Sequence, residues 1–247
     1  MNSSSISVSI IQFLCTILSI LGLLYYSIDN YDIVEMIIGY FLFSCIGISI
    51  FYHRYFSHKS FETSILFQII GTICGILAGR GSPIGWVYVH RLHHKFSDKE
   101  NDPHPHTWKI FFPHLLKYGD RINPFYIKDF IKNSLHKKIN EYYNLILLLF
   151  VTLFGIIGIK FLLFFWIIPV ALTAWSLNLF VYMSHYFGYK NYDCADNSKN
   201  NWLISLILWG EGWHNNHHQN PGWWCLHKKW WEIDISGMII KMIKSNK

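Results

Sequence analysis

Residues 142–184 read YYNLILLLFVTLFGIIGIKFLLFFWIIPVALTAWSLNLFVYMS, an apolar run broken by one charge, Lys160. A single helix of that length would reach roughly 64 Å at 1.5 Å per residue, about twice a ~30 Å hydrocarbon core. The run therefore reads as two membrane spans, 142–159 and 161–184, turning at Gly155, Gly158 and Lys160. Pro169 interrupts the second of them, as membrane helices tolerate.

Two further runs lie upstream. Ile6–Tyr26 is uncharged and long enough to cross; it lacks the basic n-region and cleavage site of a signal peptide. Ile33–Tyr52 follows, with Glu35 near its start. Charge placement fixes the count at four. Of 21 Lys and Arg residues, 20 fall in 53–141 or after 184. Four spans put those segments on one side, which the positive-inside tendency makes cytoplasmic. The opposite side keeps only Lys160, Asp29 and Asp32. The expected fold is thus an all-α integral membrane protein. Four transmembrane helices (6–26, 33–52, 142–159, 161–184) carry a cytoplasmic cap (53–141 and 185–247), in one domain over 1–247. The stretch Ile65–Gly79 is short for a span, and is expected at the interface or packed within the cap.

Composition agrees. The chain is 52% hydrophobic and only 15% charged, against roughly a quarter charged in a soluble domain. Five cysteines without a C-x-x-C pair exclude a zinc ribbon or disulfide framework. No motif supports nucleic-acid binding, and a haem or flavin segment is likewise missing from the sequence.

The 14 histidines carry the chemistry. Eight stand in three clusters: His53-Arg-Tyr-Phe-Ser-His58, His90-Arg-Leu-His93-His94 and His214-Asn-Asn-His217-His218. All three fall on the basic side and can converge. On a helix, i and i+4 share a face, whereas i+3 and i+4 diverge by about 100°. Each H-x-x-H-H segment can therefore aim its outer pair at one metal and its middle histidine at another. Imidazole suits Zn, Cu, Fe and Ni alike, so spacing leaves the metal open. The zinc-protease H-E-x-x-H is absent from the sequence. Only Glu211-Gly-Trp-His214 fits the Glu-x-x-His that a carboxylate di-iron bundle needs twice.

These boxes, together with Asp102-Pro103-His104 and Trp209-Gly-Glu-Gly-Trp-His214, resemble the membrane fatty acid desaturase family over nearly the whole chain, closest to its stearoyl-CoA desaturase-like (delta-9) branch. The resemblance implies a cap over a di-iron centre, with a tunnel presenting a saturated acyl chain. It implies O2 as co-substrate, two iron ions, and an external electron carrier such as cytochrome b5 or ferredoxin. It adds a ninth ligand, His185, after the fourth span. One iron would take His53, His58, His90, His94 and His217; the other would take His93, His185, His214 and His218. Glu211 and Asp102 are candidates to orient ligand histidines. His104, His106, His114, His136 and His227 lie outside the boxes and read as surface or supporting residues.

Two departures from the family pattern stand out. Val181 occupies the position where the family usually has an Asn holding an iron-bound water; Asn178, three residues earlier, is the candidate replacement. Tyr88-Val89 stand where animal acyl-CoA desaturases carry Arg-Asp, which leaves coenzyme A, carrier protein or intact lipid open as the acyl carrier. The competing readings are a membrane di-iron hydroxylase, whose first box more often reads H-x-x-x-H, and a catalytically silent metal-binding membrane protein.

Overall fold

A computed structural model describes residues 4–104, 111 and 122–245; His106 and His114 lie outside the described residues. Among these the chain is helical, with isolated bridges only. Four helices are long and apolar enough to cross a membrane. They are α1 (Ser4–Tyr25), α2 (Asn30–Ser57), α5 (Ser134–Ile157) and α6 (Ile159–Tyr186). Between α2 and α5 lie α3 (Ile65–Leu77) and α4 (Pro83–Phe96). After α6 come α7 (Trp202–Ile207), α8 (His214–Gln219) and α9 (Ile235–Ile243).

Helix limits differ from the apolar runs in an instructive way. α2 does not stop at Tyr52 but continues to Ser57, and α5 begins at Ser134, eight residues before the apolar run. Hydropathy marks where the chain meets lipid, whereas a helix continues for as long as its turns are supported. Asn133 caps α5, its side chain accepting from Leu135 N–H. The extension of α2 places His53 on the rigid end of a span instead of on a loop.

The turn between α5 and α6 falls at Gly158, and Lys160 then reaches back to the α1–α2 loop. Its Nζ lies 3.0 Å from Asp29 and 2.8 Å from Asp32. The three charges of the far side are thus joined to one another. Asp29 also caps α2, accepting from Tyr31 and Asp32 N–H.

The disruption expected at Pro169 takes the form of wider, π-type turns over Leu162–Ile167 just before it. Proline offers no N–H to the carbonyl four residues back, here Phe165. Gly39 of α2 packs against that carbonyl and the Pro169 ring, where a Cβ would collide. The same device brings α3 onto α2. A Cβ at Gly47 would sit 2.6 Å from the Cys74 carbonyl, and Gly71 and Gly75 give room to the rings of Phe51 and Tyr52. Backbone cannot yield as a flexible side chain does. Gly47→Ala is therefore expected to destabilise by about 1–3 kcal/mol, read as a lower midpoint of thermal unfolding in detergent.

α3 thus runs antiparallel to α2 and back towards the bundle. Its outer residues Ile65, Leu66, Ile69 and Ile70 are exposed, while Gly71, Gly75, Ile76 and Leu77 are buried. The chain turns through Gly79 and Gly81, both at positive φ (69° and 94°), and α4 carries the second histidine box back to the top of α2.

Candidate metal centre

His53 and His58 sit five residues apart, and on a regular α-helix they would point in different directions. From Phe41 to Ser57 α2 adopts wide turns, and at its end His58 N–H donates to the His53 carbonyl, 3.3 Å. An i→i+5 bond brings residues five apart together. The two rings stand 5.1 Å apart, centre to centre. The H-x-x-x-x-H spacing is therefore the spacing of this wide turn.

The nine histidines singled out in the sequence gather into two groups. In the first, His53, His58, His90, His94 and His217 bring ring nitrogens within 4.8 Å of one another. Nε2 of His217 lies 2.9 Å from Nε2 of both His53 and His94. His58 and His90 meet at 2.6 Å. In the second group His93, His185, His214 and His218 converge in the same way, with His185 and His214 Nε2 3.1 Å apart. As the helical spacing dictates, α4 sends His90 and His94 to one group and His93 to the other. α8 sends His217 to the first, and His214 and His218 to the second.

Carboxylates hold the outer ring nitrogens. Glu211 Oε2 lies 2.5 Å from His53 Nδ1, and Asp102 Oδ1 lies 3.0 Å from His93 Nδ1. Asp98 stands 3.2 Å from His185 Nδ1, and Asp196 2.6 Å from His218 Nδ1. With Nδ1–H donated outwards, the facing Nε2 atoms present lone pairs inwards. Lone pairs packed at these distances repel one another unless a cation sits among them. His218 Nε2 is buried with no hydrogen-bond partner among the described residues. The ring charges are suppressed as a metal requires. Burial first, then neighbouring histidines, pushes His58, His90, His94, His214 and His217 well below the ordinary imidazole range.

Charge balance fits two divalent cations. Burial would raise the Glu211 carboxyl, but His53 and Arg54 together hold it at about 2. Asp196 is likewise lowered, its burial outweighed by His218 and Ser198. Arg54 is 1% exposed and forks between Glu211 Oε1 (2.8 Å) and Asp234 Oδ2 (2.8 Å). One arginine cancels one carboxylate of that pair. Glu211, Asp98, Asp102 and Asp196 then leave four negative charges around two histidine groups.

Several of these partners carry no mark in the sequence. Arg54 lies inside the first box, and Asp98 stands four residues beyond the second. Asp196 and Asp234 reach the centre from segments without periodicity or motif. Ser49, one turn below His53, donates to Glu211 Oε1, and its oxygen lies 2.7 Å from the Ser236 hydroxyl.

Beside the histidines lies a cavity with about 690 Å³ of non-atom space, its open mouth included. Ile48, Trp86, Leu177, Phe180 and Val181 give it apolar walls, and His53, His90, His93, His185 and His214 border it. Asn178 also lines it, but its amide is engaged at 3.4 Å with Gln12 and with Arg80. His104 lines the cavity next to His93, ring centres 5.3 Å apart, and His136 stacks on Phe130 at 4.1 Å.

Four spans, two polyhistidine groups able to hold metal ions and a cavity with apolar walls alongside define the class: a multi-pass membrane protein with a candidate metal centre. The fatty acid desaturase family model matches residues 33–234. The sn-1 stearoyl-lipid 9-desaturase of Anabaena variabilis is 32% identical over 83% of this chain and 78% of its own length. Delta-9 acyl-lipid desaturase 1 of Arabidopsis thaliana is 32% identical over 81% of this chain and 68% of its own. The hex-5-enoyl-(acyl-carrier protein) acetylenase of Moorena producens is 30% identical over 94% and 80%. The chain belongs to the fatty acid desaturase family, and is an oxidoreductase of that family.

Proposed function

We propose that residues 1–247 act as one domain that introduces a cis double bond, at the delta-9 position, into a saturated acyl chain. The observation that carries this reading is the pair of convergent imidazole groups beside an apolar cavity, in a chain of this family. His53, His58, His90, His94 and His217 would hold one iron, and His93, His185, His214 and His218 the other. Bound there, two iron ions would supply the chemistry that uses O2 and two external electrons to take two hydrogens from the acyl chain.

The protein's own residues set the conditions for that step. Glu211, Asp102, Asp98 and Asp196 fix the tautomer and orientation of His53, His93, His185 and His218. Ile48, Trp86, Leu177, Phe180 and Val181 hold the acyl chain and exclude water. The electrons come from an external carrier. It docks on the basic side, which the charge distribution makes cytoplasmic. The acyl carrier is a membrane lipid. This rests on the names of the Anabaena and Arabidopsis relatives and on Tyr88-Val89 in place of the Arg-Asp that meets coenzyme A.

Expression in a host lacking delta-9 activity, followed by chromatography of its fatty acids by lipid class, tests the proposal. New monoenes in glycerolipids support it. Hydroxy acids identify a hydroxylase, and an unchanged profile identifies a silent metal-binding protein. Two variants probe the details. Glu211→Gln is expected to weaken iron binding about 10–100-fold, measured by competition with a chelator. Val181→Asn is expected to preserve or raise monoene yield, whereas a sharp loss would mean that the centre works without that amide.

A further inference from the structure

Between Asn201 and Trp213 the chain makes a narrow hairpin whose depth can be followed through hydrogen bonds. Asn201 Nδ2 donates to the Phe187 carbonyl, one residue beyond the end of α6. The chain then descends. The Tyr40 hydroxyl lies 3.0 Å from both Ser176 Oγ on α6 and the Ile207 carbonyl. Trp209 Nε1 donates to Ser44 Oγ on α2, 2.7 Å. Trp175, beside Ser176, donates to Thr16 Oγ1 at 3.0 Å, and Thr16 stands at the middle of the first span, Ser7–Tyr25. The tip of the hairpin is therefore level with the interior of the spans. From Ser176 to Tyr186 the helix rises about 15 Å, which is the depth of the dip.

Two independent features match that depth. The outer face of α7 is apolar: Trp202 and Leu206 are 65% and 64% exposed, and Leu203 is exposed too, while Ile204 and Ser205 point inwards. Such a cluster facing water would be costly; facing acyl chains it is not. The tip also satisfies its own backbone, as hydrocarbon demands. The Ile207 carbonyl accepts from Tyr40, Gly210 N–H donates to Ser205, Glu211 N–H to Leu208, and the Trp209 carbonyl accepts from Ser236. Positive φ at Trp209 (57°) and Gly210 (113°) closes the turn.

We propose that 201–213 is a re-entrant hairpin that enters the bilayer leaflet on the basic side and presents Trp202, Leu203 and Leu206 to lipid acyl chains. The α3–α4 hairpin is its counterpart. There Gly79 meets Ile11 and Val170, and the Gly81 backbone bonds the hydroxyls of Tyr52 and Tyr143. One H-x-x-H-H box thus lies on the returning arm of a hairpin anchored among the spans, and the other follows directly on such a hairpin. Neither hairpin is a span, and α7 is too short to register as one.

Spin labelling tests this without reference to catalysis. Cysteines are placed singly at Leu203 or Leu206 in a Cys194→Ser, Cys225→Ser background, where Cys15, Cys45 and Cys74 are buried. Leu149, on the exposed side of α5, serves as the lipid reference and Lys190 as the water reference. The full chain is reconstituted in phosphatidylcholine–phosphatidylglycerol nanodiscs, and collision with O2 is compared with collision with a water-soluble nickel chelate. The O2-to-nickel collision ratio at both α7 positions is expected to match Leu149 and exceed Lys190 several-fold. A ratio equal to that at Lys190 would place α7 in water and overturn the proposal.

Discussion

His217→Ala is expected to lose bound iron and nearly all desaturation. Its Nε2 stands 2.9 Å from those of both His53 and His94, so it joins the α2 and α4 contributions. Loss of a residue that merely supports a ligand costs about 10–100-fold, and loss of a ligand itself is expected to cost more. Iron content by elemental analysis should fall by about half if the four-histidine group stays loaded, while monoene formation falls by more than ~100-fold. Full activity in the variant would remove His217 from the ligand set.

The second large effect is on stability. Arg54→Ala would leave Glu211 and Asp234 buried with the charge between them gone. Breaking a buried ion pair from one side typically costs ~3–5 kcal/mol. Arg54 also donates to the Trp224 carbonyl at 2.9 Å, and Asp234 caps α9 through Gly237 N–H and accepts from Leu226 N–H. One side chain therefore ties the first histidine box to the C-terminal segment. Thermal unfolding in detergent should show a midpoint lowered by many degrees, with Arg54→Lys recovering part of it, since an ammonium cannot fork to both carboxylates. An unchanged midpoint would mean that the pair contributes nothing.

The four spans were legible because a bilayer leaves so few ways to cross it: length, apolarity and one-sided basic charge agree on a single count. Helical periodicity separates His93 from His90 and His94, while the membership of the two groups, His185 included, came from the family resemblance. Less could be seen where geometry departs from that periodicity. The five-residue spacing of His53 and His58 becomes intelligible only with the wide turns of α2. Asp196 and Asp234 are ordinary loop acids until the fold delivers them to His218 and Arg54. The 201–213 hairpin escaped hydropathy because its helix spans six residues. Val181 and Asn178 both line the cavity, a placement the sequence did not show, and the Asn178 amide is turned to Gln12 and Arg80.

The account rests on the nine histidines forming a working two-metal desaturase centre. The most direct test is to purify the full chain in lipid, count its iron, and supply the same sample with O2, a reduced electron carrier and a stearoyl glycerolipid. The products are then read by mass spectrometry. The account predicts two iron ions per chain, one for each histidine group, and a product lighter by two hydrogens with its double bond at carbon 9. An iron-loaded protein that leaves the lipid unchanged, or adds an oxygen to it, would contradict it.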